Sequence, residues 1–166
     1  MAKAPDFIIS HWYHLIEGLQ GSPKEFYASV EQAITARNLP DMTTVRVDWR
    51  EGGPLSAKRE YLRVIRKEHV FDICAAPFGN GFFVSWWLGE LGSGCLTFLS
   101  FLPFIGAVAM AIFRRATYYR IDTALMFQTS VSAAVQEVVD GMTKAKGLRA
   151  LSELERQPIM KGFLGR

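Results

Sequence analysis

The run from Leu91 to Phe113, L-G-S-G-C-L-T-F-L-S-F-L-P-F-I-G-A-V-A-M-A-I-F, is 23 residues without a charge and constrains this chain more than any other feature. It meets the length criterion for membrane insertion, since about 20 apolar residues cross a hydrocarbon core of about 30 Å. Glu90 bounds it on one side, Arg114 and Arg115 on the other. Trp86 and Trp87 before it, and Tyr118 and Tyr119 after it, match the aromatic belt of a membrane interface. The competing reading is a helix buried in a soluble core, but a domain this small has little other structure to cover every side of it. The sequence therefore predicts a membrane-inserted segment with the lipid bilayer as a partner.

Two geometries compete for it. As one helix the run reaches about 34 Å, enough for a single span. Alternatively, Pro103, with Gly106 after it, breaks it into two short arms that enter and leave by one face. Residues 1–90 carry ten Lys+Arg and eleven Asp+Glu, residues 114–166 nine and five. Positive-inside logic places the C-terminal part in the cytoplasm, and a single span would push the N-terminal part out. The opening M-A-K-A-P-D-F-I-I-S-H-W-Y-H has only Lys3 ahead of Asp6 and His11 and does not read as a signal peptide. A hairpin resolves that conflict, so the expected location is the inner (cell) membrane of a bacterial-type cell, with the bulk of the protein cytoplasmic. Two cysteines, Cys74 and Cys95, both in apolar surroundings, are too few for a disulfide framework and fit a reducing compartment.

The remainder reads as an α+β fold: an antiparallel β-meander of four to five strands, a capped N-terminal helix, the inserted segment (hairpin or single span) and a long C-terminal helix. Ser22-Pro23-Lys24-Glu25 supplies an N-cap, a proline at the first helical position and a capping-box acid. Phe26, Val30, Ala33 and Ile34 share one face of that helix, and Leu39-Pro40-Asp41 stops it. Phe7 to Leu19 fits either a helix or a strand. Val45, Val47 and Trp49 alternate with polar neighbours, and Lys58 to Arg66, Val70 to Ala76 and Phe82 to Leu88 complete four strands. Ala116 to Ile121 is a candidate fifth strand, with Asp122 capping a helix to about Met142. Phe127, Val131, Ala134, Val135, Val138 and Met142 form its apolar stripe, read as a lid on the sheet ahead of a self-association seam. This divides the chain into an α+β part (1–90), the apolar segment (91–113), a strand and long helix packing on the sheet (114–147), and a basic amphipathic tail (148–166) that could touch lipid.

Few residues suggest chemistry. His11 and His14 would share a face only on a helix, and no paired C-x-x-C or H-E-x-x-H completes a metal site, so neither metal nor cofactor is expected. His69 points away from Cys74 on a strand, which defeats a local thiol–base pair. Asp72 interrupts an apolar strand; a buried carboxylate must be paired, and Arg63 or Arg66 from the preceding strand is available. Lys58, Arg59, Arg63, Arg66 and Lys67 put five cations into ten residues, with Arg46 and Arg50 on the strand before, and guanidinium groups bind phosphate oxygens bidentately. Interleaved Asp48, Glu51, Glu60 and Glu68 favour a solvated face over such a site. The formal charge of +3 does not favour nucleic acid.

The leading expectation is a small membrane-anchored, non-enzymatic protein whose α+β domain binds a partner or an anionic small molecule, with Lys58, Arg59, Arg63 and Arg66 as the ligand-binding candidates. A homo-oligomer is a further expected partner. One alternative is a membrane-permeabilising effector that oligomerises through Gly92, Gly94, Gly106 and the alanines at 107, 109 and 111. The other is a membrane-associated hydrolase or lipid-modifying enzyme using Asp72, which requires that carboxylate to open onto a pocket.

Overall fold

The computed structural model describes residues 4–50, 58–91 and 117–160. In chain order the elements are β1 (Phe7–Glu17), α1 (Pro23–Ala36), β2 (Met42–Arg50), β3 (Lys58–Arg66), β4 (His69–Phe78), β5 (Gly81–Glu90), α2 (Tyr118–Ala145), a short α3 (Glu153–Arg156) and a two-residue β6 (Ile159–Met160). The strands form one six-stranded antiparallel sheet in the order β2-β3-β4-β5-β1-β6. The ambiguous N-terminal stretch is thus a strand, and it closes the meander by pairing with β5.

Local chemistry accounts for the element ends. The Ser22 hydroxyl accepts from the Glu25 amide, Pro23 occupies the first turn of α1, and positive φ at Asn38 and Asp41 ends the excursion into β2. The β3–β4 turn uses Lys67 and the β4–β5 turn uses Gly79, both at positive φ, so that short connections join antiparallel neighbours.

Alternation along the strands gives the sheet two chemically different faces. On one, Leu62, Ile73, Trp86 and Trp12 form a row across four strands, flanked by Val64, Phe71 and Leu88. Among the described residues both long helices lie on this face. Phe26, Tyr27, Val30 and Ile34 of α1 and Ala124, Phe127, Val131, Ala134, Val135 and Val139 of α2 close the core over it. The other face carries the row Val45, Arg63, Asp72, Trp87 and His11, and next to it Val47, Tyr61, Cys74, Ser85 and Tyr13.

The sheet is split. The β3–β4 ladder runs only from Arg66–His69 to Leu62–Ile73, while β3 stays paired with β2 as far as Lys58 and β4 with β5 as far as Phe78. The Tyr27 hydroxyl of α1 fills the breach: it donates to the Glu60 carbonyl (2.9 Å) and accepts from the Ala75 amide (2.9 Å). Burial pushes the pKa of this phenol up, because a phenolate there would be stripped of water. Tyr27→Phe orphans two backbone groups and is expected to cost about 1–3 kcal/mol in denaturant unfolding. The raised phenol favours the native state fully below its ordinary unfolded value of about 10, and that contribution is lost as pH rises above it. Urea titrations should therefore show wild type losing more stability than Tyr27→Phe across that alkaline window.

Several sequence expectations are corrected. Among the described residues no helix is long and apolar enough to cross a membrane, so the fold they form is a six-stranded antiparallel sheet with helices, and the expected inserted membrane segment is not supported. α2 is long, but Arg120, Asp122, Glu137, Asp140 and Lys144 lie along it. The run predicted to insert, Leu91–Phe113, lies outside the described residues after Leu91, as do Arg114 and Arg115. The described flanks of that run lie together. Glu90, at the end of β5, pairs with Arg120, in the first turn of α2, at 3.2 Å, and α2 packs on the sheet it follows. Trp86 is fully buried against Phe71 rather than held at a headgroup level. The candidate fifth strand is the first turn of α2, and Thr117, rather than Asp122, is its cap.

Candidate functional site

The cationic cluster of β3 is divided by strand alternation. Lys58 and Arg66 fall on the helix-covered face, Arg59 and Arg63 on the opposite one. Lys58 pairs with Asp48 at 2.7 Å, and Arg66 Nε donates to the Pro40 carbonyl at 3.3 Å. Arg63 is buried, and its Nε and one terminal nitrogen each donate to an oxygen of Asp72 at 2.7 Å, with the guanidinium 5.1 Å from the Trp49 ring centroid. Both Asp72 oxygens are therefore engaged by a cation inside the sheet. A hydrolase built on Asp72 finds no support in this geometry, because general acid–base work needs a carboxyl that reaches substrate.

Arg59 is placed differently. It is exposed, sits opposite Trp49 on the strand beside it, and has no carboxylate partner among the described residues. At the split between β3 and β4 its guanidinium, the Tyr61 hydroxyl and Ser85 all lie near enough to the Cys74 sulfur to bear on its protonation. Burial is the main cause of the raised pKa of the Cys74 thiol, with Arg59 pulling the other way. The net direction keeps the sulfur protonated at neutral pH, unlike the electropositive settings that make thiols reactive. Burial likewise raises the Tyr61 hydroxyl. The break thus has the exposed Arg59 and the half-buried Tyr61 beside the buried Cys74 and Ser85 on one face, and the Tyr27 hydroxyl on the other.

The histidines do not converge. His11 stacks on Trp87 (4.5 Å between centroids) on the outer face, and His14 lies on the helix side, 3.8 Å from Glu155. A strand sends residues three apart to opposite faces, so the shared face expected of a helix does not exist. Among the described residues no group of three acidic, histidine or cysteine side chains is placed to hold a metal ion. His69 is buried near Phe127 with Glu90 at 3.5 Å, on the opposite side of the sheet from Cys74. Tyr118 and Tyr119 are exposed at the start of α2, and Trp87 is partly exposed on the outer face. A cleft of about 410 Å³ lies between the end of β1 and the segment before α3, but Arg149 and Glu155 in its wall neutralise each other through two hydrogen bonds of 2.8 and 2.9 Å.

Tyr27, Tyr61 and Ser85 carried no signal as site residues in the sequence. Register across β3, β4 and β5 brings Tyr61 and Ser85 to Cys74, and the docking of α1 brings Tyr27 to the break in the ladder. Fold and site together define an antiparallel α+β domain with a split central sheet. No family model, curated protein or solved structure matches the chain.

Proposed function

We propose that this is a non-catalytic binding domain that receives an anionic group of a ligand or partner at the mouth of the split sheet, with Arg59 as the cation that meets it. The observation that carries this reading is the position of Arg59: an exposed guanidinium beside the break in the β3–β4 ladder, near the Tyr61 hydroxyl, with no carboxylate partner among the described residues. A guanidinium next to a hydroxyl offers several donors to one anion, and a hydrogen bond to a charged group is worth about 1.5–3 kcal/mol. Lys58 and Arg63 are already neutralised by Asp48 and Asp72. The non-catalytic part of the reading is supported by the state of the two candidate reactive groups, a carboxylate saturated by its arginine and a thiol held protonated.

Titration of inorganic phosphate into the full chain, followed by calorimetry, tests the reading. Saturable binding is expected, weakened about tenfold or more by Arg59→Gln, and unaffected by Lys58→Gln on the opposite face. Absence of saturable binding, or full retention of it in Arg59→Gln, overturns the reading.

A further inference from the structure

The two lateral edges of the sheet are treated differently. On the β1 side, β6 pairs with Ser10 and His11, the ladder to β5 is interrupted by a bulge near Ile9, and the Trp12 indole donates to the Glu155 carbonyl of the segment that follows α2. On the other side β2 runs unbroken from Met42 opposite Arg66 to Arg50 opposite Lys58, with no bulge and no proline. Among the described residues nothing pairs with its outer side. A long regular edge is a template for another strand, and proteins normally interrupt it by a bulge, a proline or shortening. None of these is present in β2.

The charges on this edge are self-complementary. We infer that β2 pairs antiparallel with β2 of a second copy about a two-fold axis through Val47, extending the sheet across the dimer. In that register Arg46 stands opposite Asp48 of the other copy, twice by symmetry, and Val45, which is 41% exposed in the single chain, stands opposite Trp49. Neighbouring registers that keep each face of the sheet continuous are worse. Centring on Arg46 puts that arginine against itself. Centring on Asp48 does the same for the aspartate and sets Arg46 against Arg50. Centring on Val45 opposes Arg46 to Thr44 and Asp48 to Met42, with no ion pair. Centring on Trp49 opposes Asp48 to Arg50 but pairs only the last three residues of β2; opposite charges facing across strands stabilise and like charges destabilise, so the axis through Val47 is selected.

Both charges of the Arg46–Asp48 pair are partly open to solvent, with side-chain exposures of 31% and 45%. Arg46 is anchored on the helix side by Glu31 at 3.0 Å and lies 4.5 Å over the Tyr27 ring, yet its Nη1 lacks a hydrogen-bond acceptor, with Glu60 only at ion-pair distance, 3.6 Å. Asp48, the residue that would face it, is about half exposed and holds one lysine. Nη1 itself is enclosed, so an incoming carboxylate meets the Arg46 side chain where solvent reaches it. The contact is one strand pair, which is below the area of a stable standard-size interface, so a weak dimer is expected. Because the axis is perpendicular to the sheet, the outer faces of both copies lie on the same side, and each Trp49 joins the margin of its neighbour's sheet.

Sedimentation equilibrium of the full chain tests this. Wild type is expected to show reversible dimerisation with a Kd of about 1–100 μM, the range of weak interfaces. Asp48→Lys and Arg46→Glu each place like charges in apposition twice and should weaken it about tenfold or more. An equimolar mixture of the two variants restores opposite charges at both positions and should dimerise again. Should Arg46→Glu fail to fold, hydrogen exchange of the β2 amides in the unaltered chain supplies the second measurement: protection of alternate amides that rises with protein concentration is expected. A chain that stays monomeric with concentration-independent exchange, or a dimer indifferent to Asp48→Lys, overturns the inference.

Discussion

Arg63→Ala is expected to lower the unfolding free energy by about 3–5 kcal/mol, because it leaves Asp72 as an uncompensated charge inside the sheet. The pair is almost fully enclosed, with side-chain exposures of 3% and 8%, and its two hydrogen bonds are both 2.7 Å. Removing one partner strands the other, whereas removing both removes the problem. Arg63→Met with Asp72→Leu together should therefore recover most of the loss, since apolar replacement of a buried pair is commonly neutral or stabilising. Urea denaturation of the two single variants and the double variant measures this. A single-variant loss below about 1 kcal/mol would mean that water reaches the pair, as at exposed salt bridges.

Trp86→Ala is expected to cost a further about 3–5 kcal/mol in the same assay, through lost burial and the cavity left behind. Trp86 has no exposed surface, stacks obliquely on Phe71 at 4.7 Å, and sits in the row with Trp12, Ile73 and Leu62 that α1 and α2 cover. Its indole nitrogen is buried without a hydrogen-bond partner. Trp86→Phe gives up volume but also removes that unmet donor, so its cost should stay below about 1.5 kcal/mol. The contrast separates a core tryptophan from one at an interface, where truncation would leave the stability of the domain nearly unchanged. A small effect of Trp86→Ala would contradict the packing described for this sheet.

Much of the fold was legible because its determinants are local. Ser22-Pro23-Lys24-Glu25 marks the start of α1 by supplying the hydroxyl and the fixed φ that the first turn requires. The period-two pattern of β2 and the turn residues at 67 and 79 place strands without reference to anything distant. Asp72 announced itself as a buried charge needing a partner from the adjacent strand, because the penalty for an unpaired carboxylate is large.

Other elements misled for physical reasons. Phe7 to Glu17 carries enough apolar residues at helical spacing to imitate an amphipathic helix; its pairing with β5 decides the matter. Tyr118 to Ile121 has strand-like composition, yet the Thr117 hydroxyl caps it as the first turn of α2, showing how weak β propensity is against a helix stabilised by packing. The tryptophans at 86 and 87 looked alike as interface anchors, but consecutive strand residues face opposite ways, so one lies in the core and the other on the outer face. Linear clustering of Lys58, Arg59, Arg63 and Arg66 suggested one cationic patch, and the same alternation divided it.

What the sequence alone determined is the element types that caps, turns and alternation dictate, since these arise from interactions within a few residues. The split between β3 and β4, the wedge of Tyr27 within it, the meeting of Arg59, Tyr61, Cys74 and Ser85, and the open edge of β2 were decided only by the tertiary structure. Each depends on register between strands and on where a helix docks, and those are set by the summed burial of residues far apart in the chain rather than by any local preference.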